Sequence, residues 1–154
     1  MRITDLLKAC SVELNGTPQT KEETIEQMVA LMEKGGNVTD VEKYKAGVFA
    51  REEEGTTGIG EGIAIPHAKT DAVNAPGLAA MVIPAGVDYD ALDGQPVNLV
   101  FLIAAPNTED NVHLEVLSRL SMLLMDESFK QNLLKAKTVE QFLAVVDRAE
   151  NAKN

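Results

Sequence analysis

Helical patterns dominate the first third of the chain. Between residues 20 and 34, apolar side chains recur three or four positions apart, as on one buried helix face: Ile25, Met28, Val29 and Met32. Thr20 and Glu23 have the spacing of a capping box, and the pair Gly35-Gly36 ends the pattern. We therefore expect a helix that begins just after Thr20 and stops at the glycine pair.

A second helix is predicted to begin after Thr39 and to run to about Glu53. Thr39 and Glu42 form another candidate capping box. The side chains predicted to face inward are Val41, Tyr44 and Val48. An acidic triplet at residues 52–54 lies at the end of the helix where the helix dipole disfavours negative charge. We interpret this triplet as a solvated acidic rim.

The middle of the chain has the pattern of β-strands. Residues 78–83 predict one strand, and the almost continuous apolar run at residues 97–103 predicts a central strand covered on both faces. Residues 87–89 suggest a short extended piece between them, followed by a turn at residues 93–94. The polar loop at residues 107–111 then leads into the last third.

The last third is helical again, with predicted helices at residues 112 to about 126 and at residues 127–136. Thr138 and Gln141 cap a final helix, whose inward side chains are Val139, Phe142, Leu143 and Val146. Helices, then strands, then helices around one aliphatic sheet predict an α/β fold with three layers. Because the chain has 154 residues and no interdomain linker, we expect a single domain spanning residues 1–154.

The formal net charge of −10 narrows the classes of partner. Nucleic acid and anionic membrane surfaces are disfavoured, because binding phosphate groups requires clustered Lys and Arg. A basic protein partner is compatible with this charge, although acidic residues could equally serve solubility. The sequence shows neither a signal peptide nor a membrane-spanning segment, so we expect a soluble, cytoplasmic protein. Cys10 is the only cysteine and follows Leu6 and Leu7, which favours a small buried hydrophobic side chain.

Candidate chemistry is concentrated where a glycine-rich loop leads to a histidine. Residues 55–62 contain four glycines, which permit positive φ and close approach of the backbone to a charged group. Ile63 and Ile65 alternate as in a β-strand, and Pro66 is expected to end that strand. His67 is thereby predicted to lie at the rim of a sheet. A neutral imidazole is a nucleophile near pH 7 and can accept a phosphoryl group if cations and N–H donors hold its oxygens.

The order and the absence of motifs argue against a nucleotide site, a hydrolase nucleophile and a metal site. The glycines precede a strand, whereas a dinucleotide fingerprint needs them after a strand and at the start of a helix. The P-loop string G-x-x-x-x-G-K-[ST] and the hydrolase elbow G-x-S-x-G are absent. His67 and His113 are the only histidines and lack the pairing typical of metal ligands, so we expect no bound metal.

Two further residues have alternative interpretations. Arg51, just upstream of the loop, is either a bidentate phosphate clamp or a surface arginine that offsets the acidic triplet. His113 lies on the stripe of its helix that predicts a core position, yet it also lies in the first turn, where free backbone N–H groups attract anions. Position alone leaves the two interpretations of His113 evenly balanced.

Residues 51–67 read REEEGTTGIGEGIAIPH, which resembles the active-site signature of the enzyme IIA components of the bacterial phosphoenolpyruvate-dependent sugar phosphotransferase system, fructose/mannitol (type 2) family. The similarity continues at residues 71–73, 76–78, 92–94 and 113–114 and covers about the whole chain. It implies a mixed parallel and antiparallel sheet with helices on both faces. It also implies that no stored cofactor is needed.

The resemblance further implies two phosphoryl transfers. The phosphocarrier protein HPr would phosphorylate His67 at Nε2, and His67 would pass the group to a cysteine of an EIIB domain, which serves the membrane component EIIC. Arg51 and His113 match the family's phosphate-stabilising pair. Three residues match pocket positions: Thr57, Gly58 and Glu61. The nitrogen-regulatory branch of the family carries a similar motif, so a phosphorylation-dependent binding switch is the alternative to sugar transport. Of the two branches, the chain resembles the fructose branch more.

Overall fold

The computed structural model describes residues 2–108 and 110–153. Its elements in chain order are α1 (Ile3–Leu6), β1 (Leu7–Glu13), α2 (Lys21–Lys34), α3 (Val41–Glu54), β2 (Gly58–Gly60), β3 (Ile63–Ala64), β4 (His67–Thr70), β5 (Gly77–Val87), β6 (Val97–Pro106), α4 (Val112–Leu124), α5 (Glu127–Lys135) and α6 (Val139–Lys153). Glu109, in the loop predicted before α4, lies outside the described residues. Within the described part of the chain, no helix combines the length and the apolar character needed to cross a membrane.

The strands form one mixed sheet in the order β1-β5-β6-β3-β2, with β4 also paired to β6. β5 and β6 are antiparallel, whereas β1 runs parallel to β5. β3 and β4 both pair in parallel with β6, along the edge that β5 leaves free. The mixed sheet expected from the resemblance is therefore confirmed.

Helices cover both faces of the sheet. Alternate residues of β6 point to opposite faces: Leu99, Phe101 and Ile103 belong to one apolar core, and Val100, Leu102 and Ala104 belong to the other. The first core packs against α4, α5 and α6, and the second packs against α2 and α3. The predicted central strand and the three-layer α/β fold are both confirmed. Each fully buried Leu, Ile or Phe contributes roughly 1.5–3 kcal/mol through burial, so β6 is the main apolar element.

Helix starts follow the predicted caps, with one exception. The Thr20 hydroxyl oxygen accepts from the N–H of Glu23 at 3.0 Å, and Thr138 does the same for Gln141 at 3.1 Å. α3 is instead capped by Asp40, whose carboxylate accepts from the N–H of Lys43 at 3.1 Å. The predicted cap Thr39 was therefore wrong by one residue, because its hydroxyl donates to the carbonyl of Ala72.

The burial of Cys10 was also predicted wrongly. Cys10 lies in β1, an edge strand, and is exposed, with its Sγ 3.5 Å from the carbonyl oxygen of Lys34. The pairing of β1 with β5 shifts register between Leu7 and Val12. This irregularity breaks the alternation of inward and outward side chains, so the sequence neighbours of Cys10 do not predict its environment.

Candidate functional site

The strand that was predicted to end at Pro66 is interrupted there and resumes at His67. β3 and β4 lie along the same edge of β6, separated by Ile65 and Pro66. The carbonyl of Pro66 still accepts a hydrogen bond from the N–H of Ile103 at 3.0 Å, so the break is held against the sheet. In the described residues β4 pairs only with β6, which leaves its outer edge open. His67, the first residue of β4, is therefore at the margin of the sheet, as predicted.

An open cavity of about 430 Å³ lies over this margin, between α3, β4 and α4. Its charged and imidazole lining consists of Arg51, Glu54, His67, Lys69 and His113. The fold thus brings together Arg51 from α3, His67 from β4 and His113 from α4, which are far apart in sequence. Two cationic side chains and two imidazoles outnumber the one carboxylate, that of Glu54, so the lining favours an anion.

The ring of His67 is held in one tautomer by a backbone group. Its Nδ1 lies 3.0 Å from the carbonyl oxygen of Ile65. A carbonyl oxygen can only accept, so Nδ1 carries the hydrogen and Nε2 of the neutral ring keeps its lone pair. His67 therefore offers Nε2 as the nucleophilic nitrogen.

His113 lies in the first turn of α4 and is only partly buried, so the structure places it in the cavity lining and not in the core. Its ring centroid is 6.4 Å from that of His67. Burial is the main reason that the pKa of His113 is lowered from its usual value, followed by the charge of Lys69 and that of His67. The Nδ1 atom of His113 is buried and has no hydrogen-bond partner among the described residues. An anion in the cavity would act in the opposite direction and raise the pKa of His113, because a nearby negative charge favours the charged ring.

Arg51 reaches the cavity because α3 packs closely on β4. A Cβ atom on Gly47 would lie 3.3 Å from the Cβ of Ala68, so the helix and the strand approach each other where a larger side chain would not fit easily. Arg51 follows Gly47 by four residues and lies on the same side of the helix. Its Nη1 donates to the carbonyl of Gly55 at 2.9 Å, and among residues 2–108 and 110–153 no second hydrogen bond or ion pair occupies the guanidinium.

The three predicted pocket residues do not line this cavity. Thr57 is buried beneath the glycine loop. Gly58 is also buried, and a Cβ atom there would come within 2.8 Å of the Cα of Ala91. Glu61 occupies the β2–β3 turn with φ of 60°, and its N–H donates to Asp93 Oδ2 at 3.0 Å. These residues shape the loop beside His67, whereas the cavity itself is formed by the helices and β4.

Glu52 departs from the solvated rim predicted for residues 52–54, because its side chain is buried. Its Oε2 forms an ion pair with Lys21 Nζ at 2.9 Å and accepts from the N–H of Thr57 at 3.1 Å. Its Oε1 accepts from the hydroxyls of Thr57 and Tyr89. Glu52 follows the inward residues Tyr44 and Val48 at intervals of four, which is the sequence signal for its burial.

Lys69 is a cavity residue that the sequence analysis did not select as part of the site. It follows His67 by two positions in β4, and residues two apart in a strand project to the same face. That spacing is the signal that could have identified it. Its charge is the second cause of the lowered pKa of His113.

The titration of His113 provides a test of this electrostatic arrangement. We expect its pKa to lie below 6.5, and to rise in Lys69→Met while remaining below that value, because burial still disfavours the charged ring. NMR titration of the ring protons measures this, with Lys135→Met on α5 as the control for removal of a distant lysine. A wild-type pKa at or above 6.5, or no change in Lys69→Met, would contradict the arrangement.

The fold and the cavity together define an α/β protein with two histidines and two cationic side chains around an open cavity at a sheet edge. Residues 5–149 match the family described as phosphoenolpyruvate-dependent sugar phosphotransferase system, EIIA 2. The chain is 45% identical over 148 residues to the PTS system fructose-specific EIIABC component of Bacillus subtilis, covering 96% of this chain and 23% of that protein. It is 41% identical over 152 residues to the PTS system fructose-specific EIIA component of Haloferax volcanii, covering 95% and 99%.

Solved structures show the same similarity. The nitrogen regulatory protein IIA-Ntr from Neisseria meningitidis matches with a TM-score of 0.87 at 30% identity, covering 94% of this chain and 98% of that chain. A complex of enzyme IIAMTL and phosphorylated enzyme IIBMTL from Escherichia coli matches with a TM-score of 0.80 at 30% identity, covering 93% and 99%. The chain belongs to the EIIA type-2 family of the sugar phosphotransferase system. Members of this family are phosphotransferase components that carry a phosphoryl group on a histidine.

Proposed function

We propose that His67 is the phosphoryl-carrying histidine of this chain and that it reacts through Nε2. The observation that carries this proposal is the hydrogen bond from Nδ1 to the carbonyl of Ile65, which leaves the Nε2 lone pair free. The same ring lines a cavity that also contains Arg51, Lys69 and His113. A phosphoryl group has three non-bridging oxygens, and these three side chains supply positive charge and N–H donors for them.

In the first transfer the Nε2 lone pair attacks phosphorus of a phosphohistidine on the phosphocarrier protein HPr. A new N–P bond forms, and the N–P bond of the donor breaks and returns its electron pair to the donor imidazole. In the second transfer a cysteine thiolate of an EIIB domain attacks the same phosphorus, and the electron pair of the N–P bond returns to Nε2. The matched complex of IIAMTL with phosphorylated IIBMTL supports an EIIB partner for this chain.

The substrate pathway is proposed to be a fructose-type sugar transport system, because both relatives described above are named fructose-specific and share 41–45% identity with this chain. The protein would act in the cytoplasm and reach the membrane transporter EIIC only through EIIB, without nucleic acid, bound metal or cofactor. The second candidate is a regulatory switch. It is favoured by the similarity to the Neisseria nitrogen regulatory protein, with its TM-score of 0.87.

Discharge of the phosphorylated protein distinguishes these two functions. We expect intact-mass spectra to show one acid-labile phosphoryl group after incubation with enzyme I, HPr and phosphoenolpyruvate. We then expect the phosphoryl group to be lost rapidly when a fructose-type EIIB domain, the matching EIIC component and fructose are added. Persistence of the phosphoryl group with every EIIB domain supplied would favour the regulatory function. Absence of any label on wild-type protein would contradict phosphoryl transfer by this chain.

A further inference from the structure

We propose that Glu52 is a positioning residue that fixes the reactive tautomer of His67 through a continuous chain of hydrogen bonds. This inference rests on the proposed role of His67 as the phosphoryl acceptor. Glu52 does not line the cavity and does not touch the reacting atoms. Its effect is transmitted through the backbone of the glycine loop and of the interrupted strand.

The first part of the path anchors the glycine loop. Thr57 donates both its N–H and its hydroxyl hydrogen to the buried carboxylate of Glu52. The same carboxylate also accepts from the hydroxyl of Tyr89, at 3.0 Å, and forms an ion pair with Lys21 Nζ, at 2.9 Å. A carboxylate with four donors on its two oxygens cannot rotate without breaking several buried hydrogen bonds, and each break carries a desolvation penalty.

The second part of the path reaches the ring of His67. The carbonyl of Thr57 accepts a hydrogen bond from the N–H of Ile65 at 3.0 Å. The carbonyl of Ile65 in turn accepts the Nδ1 hydrogen of His67 at 3.0 Å. Ile65 is thus held on both sides, between the loop that Glu52 anchors and the imidazole. If Thr57 moves, the carbonyl that selects the tautomer moves with Ile65.

Glu52 also holds the segment that contacts Arg51. The backbone carbonyl of Glu52 accepts from the N–H of Gly55 at 3.2 Å, and the carbonyl of Gly55 accepts from Arg51 Nη1 at 2.9 Å. The turn is therefore held at one end by the backbone of Glu52 and contacts Arg51 at the other, while the Glu52 carboxylate anchors Thr57 just after the turn. Through the backbone of this loop, Glu52 is thus connected to two cavity residues, Arg51 and His67.

The test uses Glu52→Gln, because glutamine has nearly the same shape but one carbonyl oxygen in place of a carboxylate. The NH₂ group of the glutamine cannot accept a hydrogen bond, yet it must face a donor of Thr57, Tyr89 or Lys21. At least one of the contacts that anchor the glycine loop is therefore lost. We expect the rate of phosphoryl transfer from HPr to fall about tenfold, since small misplacements of reacting groups have large effects on rate. We also expect the ring ¹⁵N shifts of His67 to change from a single Nδ1–H tautomer to a mixture.

Glu150→Gln is the matched control. Glu150 is also a buried carboxylate, and it accepts from the N–H of Ile3 at 2.9 Å and pairs with Arg119 at 3.4 Å, away from the cavity. This variant loses a comparable buried carboxylate, so it reports the effect of lowered stability alone. We expect it to keep both the wild-type transfer rate and the wild-type tautomer. If Glu52→Gln does not fold, Thr57→Val tests the same path, because it removes the hydroxyl contact and keeps the backbone.

A slower transfer together with a mixed His67 tautomer, both absent in Glu150→Gln, supports the inference. A wild-type tautomer in Glu52→Gln or in Thr57→Val overturns it, even where transfer is slower, because the effect would then be one of stability. The ¹⁵N measurement needs no phosphoryl donor. Failure of wild-type protein to become labelled would therefore overturn the proposed function, while the tautomer measurement would still decide the role of Glu52.

Discussion

His67→Gln is expected to carry no phosphoryl group after any time of incubation with enzyme I, HPr and phosphoenolpyruvate. The amide nitrogen of glutamine is conjugated with its carbonyl and has no lone pair to attack phosphorus. Its NH₂ group can still donate to the carbonyl of Ile65, which accepts from Nδ1 in the wild type, so the end of the strand is expected to remain in place. Intact-mass spectrometry measures the labelled fraction directly.

His113→Gln is the control, because the chain contains only two histidines. We expect this variant to be labelled to completion but to transfer more slowly, since the imidazole that neighbours His67 at 6.4 Å is lost. An acid-labile label that persists in His67→Gln and disappears in His113→Gln would instead assign the acceptor role to His113. Label on neither variant would mean that both rings are required for acceptance.

The helices and the main strands could be predicted because their signals are local. Caps such as Thr20 and the apolar run of β6 lie within a few residues of the structure that they specify. The predictions failed where structure depends on distant contacts. Thr39 lost its predicted capping role because its hydroxyl donates to Ala72, and Cys10 is exposed because β1 changes register against β5.

The candidate site shows the same division. A stiffly held His67 at a sheet margin follows from the residues around it. Its meeting with Arg51 and His113 depends on how α3 and α4 pack around β4, so the local pattern left two interpretations for each residue, and the family resemblance favoured the site. Thr57 was placed in the pocket by the same resemblance and lies instead under the loop, with its hydroxyl on Glu52.

Two missed residues, by contrast, carried readable signals. Glu52 continues the inward spacing of Tyr44 and Val48, and this spacing predicts burial, whereas a glutamate side chain is usually exposed. The ion pair with Lys21 and the hydroxyl donors make that burial possible, and none of these partners is near in sequence except Thr57. Lys69 shares the strand face of His67, so alternation alone would have included it in the site.

Arg51→Gln is expected to slow phosphoryl transfer from HPr about 100-fold, which is the usual effect of removing one donor that holds a developing charge. Glutamine removes the positive charge and the planar fork that matches two phosphoryl oxygens. Arg51→Lys should recover part of the rate, because an ammonium restores the charge but not the bidentate geometry. Single-turnover labelling followed by rapid-quench mass spectrometry measures the three rates.

Lys45→Gln is the control for charge removal on the same helix. Lys45 pairs with Glu42 at 3.3 Å and does not line the cavity, so its loss changes the net charge as Arg51→Gln does without touching the site. Equal slowing in Lys45→Gln and Arg51→Gln would mean that Arg51 acts only through long-range attraction of the negatively charged phosphoryl group of the donor. Slowing confined to Arg51→Gln, and insensitive to added salt, requires direct contact with the phosphoryl group, since surface attraction is screened within about 8–10 Å at physiological ionic strength.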